Sequence, residues 1–598
     1  MPADDASAHF ALFDADDGGA LLLSGFRRAL DCPPGGDPAV ILAAIEAARC
    51  AGNWVAVAAD YALGTAFEPS APSRADPAAP PLRAWVFARS ERLDAAGLER
   101  FLAGRCAALS EAGRVAGVAE VRPGLSPTAH AEAVQRIRRW IADGDCYQIN
   151  YTFPLDFRYF GAPLALYRAL RARQPVRYGA FLSLPGAAFV SLSPELFFER
   201  RGALVRTRPM KGTAPRGATP AADARQRESL LNSAKERAEN VMIVDLLRND
   251  LGRLAPPGKV GVETLCEAEA YPTLWQMVSS VVAELPDAPL SELFRVLFPC
   301  GSITGAPKIR AMQRIAELED WSRGIYTGAL GWVSPTGDCR FNVAIRTFAV
   351  DTCGAEGQAR LGVGSGIVID ADPAREYDEC LLKASFLTGF DPGFALIETL
   401  RLDGGRYPRL PLHLERLRAS ARALGFACDM AAISTALAGE ASRHGAGVFR
   451  VRLTLAHDGA LTLDSAPLPV SDGEHWGAVI ADEVLDPAGD YLRRYKTTAR
   501  SGYDRALAAL PSGVFDAIFL NARGEVCEGA RSNVFVERDG RLLTPPLSCG
   551  LLPGVLRREL IDAGRAVECS LTRSDLLRAE RLYLGNALRG LVAVNLVS

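Results

Sequence analysis

The chain has 598 residues, 49% hydrophobic and 23% charged, the composition of an ordinary globular protein. Lys and Arg (67) nearly balance Asp and Glu (70), and a net charge of -3 argues against nucleic acid or an anionic membrane as the main partner. No apolar run reaches the roughly 18 residues of a membrane span, and the opening MPADDASAHF is acidic where a secretory signal is basic. A cytoplasmic location is therefore expected, with about four core-sized units at roughly 150 residues each. The 13 cysteines are scattered and form no C-x-x-C pair, so buried reduced thiols are expected rather than a zinc or dithiol site. Only six basic residues are lysines: Lys211, Lys235, Lys259, Lys308, Lys383 and Lys496. Arg stays protonated, so any nucleophilic amine must come from one of these six.

Residues 1–120 read as mixed strands and helices, with an exposed Pro/Ala-rich loop at 69–82. Ser126 caps a predicted helix that closes near Gly144, and CYQINYTFPLDF follows as a strand. A long helix is predicted over about 224–249. GSITGAPK leads into another helix, and GALGWVS, FNVAIRTFAV and GVGSGIVID read as strands before a helix over about 374–387. Asp391-Pro392-Gly393 marks a boundary, after which some 205 residues restart with their own strand–helix pattern, long enough for an independent core. PLHLERLRASARALGF reads as a helix carrying His413 and Arg416, and Pro553-Gly554 precedes a further one.

Glu236 and Glu239 stand three apart on the long helix, and Glu376 and Glu379 repeat the spacing on the later one, so each pair shares a helix face. Solvated surface charge explains each pair taken alone. If the two faces meet, four carboxylates need a cation, and oxygen-only ligation favours Mg²⁺. Gly362, Gly364 and Gly366 alternate along one strand and would let a ligand approach its backbone; a bulge is the structural alternative.

Taken together and in this order, CYQIN, SPELFF, RPMKGT, KERAENVMIVDLLRNDLGR, GSITGAPKIRAM, FNVAIRT and GVGSGIVIDADPAREYDECLLKA resemble the chorismate-utilising enzymes. These are the anthranilate, aminodeoxychorismate, isochorismate and salicylate synthases. The resemblance is close over about 120–388 and looser before it. RPMKGT resembles the lysine-bearing P-[IM]-K-G-T motif of aminodeoxychorismate synthases, where anthranilate synthases usually carry alanine. It implies that the Lys211 amine adds to C2 of chorismate as the 4-hydroxyl leaves, and that ammonia then adds at C4 and expels the lysine. By the same matching, Glu195 is the general acid, Glu239 and Glu379 bind Mg²⁺ directly, and Glu236 and Glu376 bind it through water. Thr304, Tyr326, Arg346, Gly364 and Ser365 hold substrate carboxylates, with Lys383 near the ring carboxylate. Gln276 stands near where many anthranilate synthases have histidine. No Gly-x-Cys-x-Gly elbow is present, which implies a separate amidotransferase supplying ammonia, or free ammonia.

Residues 394–598 hold a single lysine, Lys496, the amine that a pyridoxal 5'-phosphate enzyme requires. ETLR with HLERL, YKTTARSGY, EGARSNVF, LLPGVLR and LGNALRG resemble, in order, the fold-type IV pyridoxal phosphate enzymes. These include branched-chain and D-amino acid aminotransferases and 4-amino-4-deoxychorismate lyase. The resemblance implies Lys496 as the cofactor-bearing lysine and general base, and Glu528 as partner of the pyridine nitrogen. Arg416 and the backbone of Val555 and Leu556 become phosphate contacts, with Asn533 and Asn586 as further pocket residues and Arg589 facing a substrate carboxylate. Many relatives have Ile-Thr at Val555-Leu556, so a hydroxyl contact is lost here.

The expected architecture is α+β: residues 1–120 as the front part of the synthase module, 121–388 as a chorismate-binding domain, 389–393 as a linker and 394–598 as an α/β pyridoxal phosphate domain. The front module is expected to be two packed antiparallel sheets. Because the first module would make 4-amino-4-deoxychorismate, the fusion favours a lyase behind it and a bifunctional 4-aminobenzoate-forming enzyme. The alternatives are an anthranilate synthase fused to an aminotransferase, and a synthase with a non-catalytic rear scaffold. Fold-type IV enzymes are commonly dimers, so a homodimer through the rear domain is also expected.

Overall fold

A computed structural model describes residues 8–33, 35–77, 79–271, 274–286, 288–352, 357–469, 476–485 and 490–597. The chain forms two compact units. The first comprises residues 1–108, 122–157 and 163–388; the second comprises 109–121, 158–162 and 389–598.

In the first unit Ser126 accepts from Ala129 N at 3.2 Å and starts the helix Pro127–Ala142, and Gly144 leaves it at φ +80°. The predicted helix over 224–249 is two helices, Pro220–Asn232 and Ala234–Gly252. Ser233 adopts an extended conformation between them, and its hydroxyl accepts from Glu236 N at 3.3 Å. A serine able to satisfy orphan N–H groups here competes with helix continuation. FNVAIRTFAV is likewise two strands, Cys339–Val343 and Thr347–Asp351, parted where Arg346 takes φ +50°.

The strands of this unit join one continuous network of 18, rather than two separate sheets. Shared strands make the connection: Leu196–Arg201 pairs antiparallel with both Leu204–Arg208 and Cys339–Val343. The strand Gln148–Phe160 pairs with Gly305–Ala306 and with Gln358–Ile367, and its first eight residues are buried. Phe197, Phe198, Phe294, Phe298 and Phe341 fill the core beneath, each contributing roughly 1.5–3 kcal/mol on burial.

The second unit combines a three-stranded antiparallel sheet (Leu396–Asp403, Val448–Leu455, Leu461–Pro467) with an eight-stranded mixed sheet. The helix Leu410–Leu424 lays Leu417, Ala421 and Leu424 against Leu400 and Leu402 of the smaller sheet, then ends at Gly425 with φ +76°. In the larger sheet Trp476–Leu485 runs parallel to Val514–Asn521 and to Gly590–Leu596. Two early segments complete this unit. Ala119 and Phe160 join its core beside Phe394, Tyr491 Oη donates to Glu120 Oε1 at 2.7 Å, and Arg505 pairs with Glu111 at 2.8 Å. All twelve cysteines among the described residues are free, and no described helix is long and apolar enough to cross a membrane.

Candidate active sites

Lys211 lies on the strand Met210–Pro215 of the first unit. The strand passes the helix Ala234–Gly252 at Gly212, whose φ is +92° and where a Cβ would sit 2.8 Å from Glu236 Oε2. Only glycine meets both demands. Gln276 Nε2 donates to Gly212 O at 2.9 Å and Asn240 Nδ2 to Lys211 O at 3.4 Å, so the backbone under the lysine is fixed on two sides. At Gly366 a Cβ would lie 3.1 Å from Lys211 Nζ and 2.7 Å from Gln148 Nε2, which brings both tips onto that glycine. Gln148 is 2% exposed and its Nε2 has no hydrogen-bond partner. The motif CYQIN contains this residue, yet nothing in the alternation of a strand marks its amide as a site group; the signal is a polar side chain in a fully buried run.

Burial lowers the Lys211 pKa and Lys383 adds to the effect, opposed by Glu239, Glu195 and Glu379. Glu195 is 4% exposed with Oε1 unpartnered, and burial pushes its carboxyl up to about 7 despite Ser302, Lys211 and the Met210 backbone. An amine biased toward neutrality and a carboxyl biased toward protonation thus act on one another across one site.

The two acidic pairs do meet electrostatically. Burial and then Glu239 raise Glu236, while burial raises Glu376 with Glu379 adding to it. Burial also pushes Glu379 up, but Lys383, Lys211 and Lys235 together hold it low. Lys383 Nζ reaches Glu379 Oε1 at 2.8 Å and donates to Gly364 O at 2.9 Å. Among the described residues no group of three or more His, Cys, Asp or Glu is disposed to hold a metal ion. The donors are all oxygens, which suits Mg²⁺, an ion often held by one or two direct carboxylates and several waters.

Ser365 Oγ is buried without a partner, and Gly364 leaves no room for a Cβ, which would stand 2.6 Å from Tyr151 O. Tyr326 covers Gly362, where a Cβ would meet its ring at 2.1 Å. The Thr304 hydroxyl is turned inward, donating to Gly301 O (3.2 Å) and Cys300 O (3.3 Å). Arg346 carries a guanidinium whose pKa burial lowers, with Tyr271 opposing. Sequence reasoning missed the buried pair beneath these groups. Arg323 donates through Nε to Glu319 Oε2 and through Nη2 to Oε1, both at 2.7 Å, and also reaches Asn150 O (2.9 Å) and Ile303 O (3.3 Å). Thr152 donates to Glu319 from both N and Oγ1. The pair therefore ties the segments that carry Thr304 and Tyr326 to the strand Gln148–Phe160.

In the second unit a cavity of about 1010 Å³ is lined by Lys496, Arg416, Glu528, Asn533, Val555, Asn586 and Arg589 among others. Lys496 follows the turn Tyr491–Arg494, and burial, Arg416 and Arg500 lower its pKa to about 8 against Glu398 and Glu528. Burial raises Glu528 to about 7. Its oxygens accept from Tyr503 Oη (2.7 Å) and Leu552 N (3.0 Å), and among the described residues no cation forms a salt bridge with it. Glu398, buried yet held down at about 2, anchors Arg416 through bonds of 2.8 and 2.6 Å and accepts His413 at 2.6 Å. Arg416 Nη1 then reaches Pro553 O at 3.2 Å, just before the helix Val555–Asp562. That helix starts at Gly554 with no side-chain cap, and a Cβ there would fall 1.9 Å from Asn533 Oδ1. Leu556 packs on Phe535 and Leu560, so only its backbone is left for the cavity.

The comparisons bear on both units. Residues 39–389 match the family model described as chorismate binding enzyme. The chain belongs to the chorismate binding enzymes. Residues 395–597 match amino-transferase class IV, and a class IV domain implies pyridoxal phosphate. Aminodeoxychorismate synthase component 1 of Salmonella typhimurium is 40% identical over 257 residues, covering 43% of this chain and 56% of that protein. Anthranilate synthase component 1 of Streptomyces coelicolor is 45% identical over 264 residues, 44% of this chain and 50% of that protein. The chain thus spans about half the length of these curated relatives. The structure of anthranilate synthase component I from Streptococcus pneumoniae overlays at a TM-score of 0.51 with 24% identity, covering 63% of this chain and 89% of that one, and supports the fold of the front unit. The α+β architecture read from sequence, with a class IV fold at the rear, agrees with these matches and with the mixed helices and strands observed.

Proposed function

We propose that this chorismate binding enzyme converts chorismate and ammonia to 4-amino-4-deoxychorismate in the first unit, and that the second unit eliminates pyruvate from that compound to give 4-aminobenzoate, a folate precursor. The observation that carries the first half is Lys211 itself, with Nζ over Gly366 and its backbone held by Gln276 and Asn240. In the first step the neutral amine attacks C2, the ring double bonds shift, and the 4-hydroxyl departs with a proton from Glu195 as water. Ammonia then attacks C4 and the C2–N bond to Lys211 breaks, returning the amine. Arg346, Tyr326, Ser365 and the backbone at Gly364 hold the carboxylates of the substrate, with Thr304 shaping the adjoining loop and Lys383 beside the ring carboxylate. Glu239 and Glu379 are proposed as direct Mg²⁺ ligands, and Glu236 and Glu376 as ligands through water. Relatives named component 1 point to a separate amidotransferase component as the source of ammonia.

The second cavity fits pyridoxal phosphate: a buried Glu528 whose carboxyl burial pushes up to about 7, with no salt bridge to it among the described residues, one lysine, and a helix start with no side-chain cap beside Asn533. Bound there, the cofactor supplies an electron sink for the charge left when a C–H bond beside the attached amine breaks. Glu528 faces its pyridine nitrogen, Arg416 and the N–H groups of Val555 and Leu556 take its phosphate, and Lys496 holds it and then removes the C4 proton of the substrate.

The test follows products from the full chain given chorismate, ammonia, Mg²⁺ and pyridoxal phosphate. Wild type should yield 4-aminobenzoate and pyruvate. Lys496→Ala should accumulate 4-amino-4-deoxychorismate, and Lys211→Ala should lose the first step. Anthranilate as the main product would overturn the assignment of the first unit, and amino transfer to a keto acid without pyruvate release that of the second.

A further inference from the structure

Two arginines stand on the wall of the second cavity: Arg531, which precedes Ser532 and Asn533 and has no role so far, and Arg589, which the resemblance turns toward a substrate carboxylate. Among the described residues neither forms a salt bridge. Their charges oppose each other, and burial together with Arg589 lowers the pKa of Arg531, with Asp516 opposing. Yet both positions are rigidly built. Asp516, fully buried, accepts from Ser532 Oγ at 2.6 Å and Arg531 N at 3.2 Å, fixing the turn after Gly529. The Arg531 guanidinium lies over the Phe515 ring at 4.6 Å and donates to Phe515 O. Asn586 staples the two sites together: its Nδ2 donates to Arg531 O at 3.3 Å while its Oδ1 accepts Leu588 N (3.1 Å) and Arg589 N (3.0 Å).

Holding two like charges together with no carboxylate in salt-bridge contact with either guanidinium is unfavourable unless a ligand supplies one. Four other arginines of the cavity are engaged by acids: Arg416 by Glu398, Arg450 by Asp464, Arg493 by Asp490, and Arg500 by Asp504, with the Ala530 carbonyl also accepting from Arg500. We infer that Arg531 and Arg589 form a subsite for a dicarboxylate, and that this subsite selects a dianionic substrate over the single carboxylate of an ordinary apolar amino acid. Guanidinium forks suit carboxylates because two parallel N–H groups match two oxygens. 4-Amino-4-deoxychorismate carries such a pair, on the ring and on the enolpyruvyl group at the meta position. The inference rests on the proposed substrate for its choice of ligand, while the site itself is argued from the unanswered charge.

The test titrates isophthalate, a rigid meta-dicarboxylate, and benzoate into the full chain loaded with pyridoxal phosphate. The visible absorbance of the cofactor reports this cavity alone. Wild type should prefer isophthalate by roughly ten-fold or more, the worth of one charge-assisted pair. Arg531→Gln and Arg589→Gln should each erase most of the preference, and the Lys variants should keep part of it, with the cofactor absorbance of each variant before anion is added matching wild type. Equal affinity for the two anions, or a preference that survives both Gln variants, would overturn the subsite. Pyruvate release from 4-amino-4-deoxychorismate is measured in parallel. A preference without pyruvate leaves the dianion site standing and removes the lyase reading; pyruvate without a preference does the reverse.

Discussion

Lys211 must be neutral to attack carbon, and Glu195 must be protonated to expel a hydroxyl. Burial moves the two pKa values toward each other, so the pH window in which both conditions hold widens around neutrality. Formation of 4-amino-4-deoxychorismate should therefore follow a bell-shaped pH profile, rising as Lys211 loses its proton and falling as Glu195, whose carboxyl burial pushes up to about 7, loses its own. Glu195→Gln should remove the falling limb and lower the first-step rate by roughly 10²- to 10⁴-fold, the usual worth of a general acid; an unchanged profile would show that another group supplies the proton. In the second unit a neutral Lys496 is needed to take up pyridoxal phosphate. The rate of uptake by cofactor-free chain, followed by visible absorbance, should climb through a midpoint near 8. At this scale the sequence was informative because lysine is so scarce: six positions, and motifs that single out two. Gln148 escaped because its importance lies in being buried and unpartnered, which depends on a neighbouring strand distant in sequence.

The strand Gln358–Ile367 separates two effects that a glycine can have. At Gly366 an added methyl would first meet the tips of Gln148 and Lys211, whereas at Gly364 it would first meet the Tyr151 carbonyl and the Thr152 side chain. Gly366→Ala should keep its thermal stability and lose first-step activity. Gly364→Ala should be destabilised by about 1–3 kcal/mol, the cost of overpacking, in denaturant unfolding. The Glu319–Arg323 pair makes a further prediction. Arg323→Met leaves a buried, uncompensated carboxylate and should cost about 3–5 kcal/mol in the same assay. Helix and strand identities were largely readable from periodicity and caps, as at Ser126. Breaks inside an element were not: Ser233 looks like one more helical residue until its hydroxyl is seen to cap the next helix, and the positive φ of Arg346 leaves no mark in FNVAIRTFAV.

At the level of the whole chain, the two compact units do not follow the order of the sequence, because residues 109–121 and 158–162 pack with the second. Such long-range membership carries no local signal: Phe160 reads as the end of a strand, and only its contacts with Phe394 and Tyr491 assign it. Phe160→Ala in the full chain should lower the stability of the second unit by about 3–5 kcal/mol, seen as an earlier loss of cofactor absorbance on denaturation. A fragment of residues 389–598 lacks this contact along with Glu111 and Glu120, and should hold pyridoxal phosphate more weakly than the full chain.

During turnover the proposed first step bonds the Lys211 amine to substrate carbon. Full chain incubated with chorismate in the absence of ammonia, quenched and mapped by peptide mass spectrometry, tests it most directly. The peptide containing Lys211 should gain a mass equal to chorismate less one water, discharged when ammonia is added. An unmodified Lys211 peptide in a sample that goes on to form 4-amino-4-deoxychorismate would contradict it.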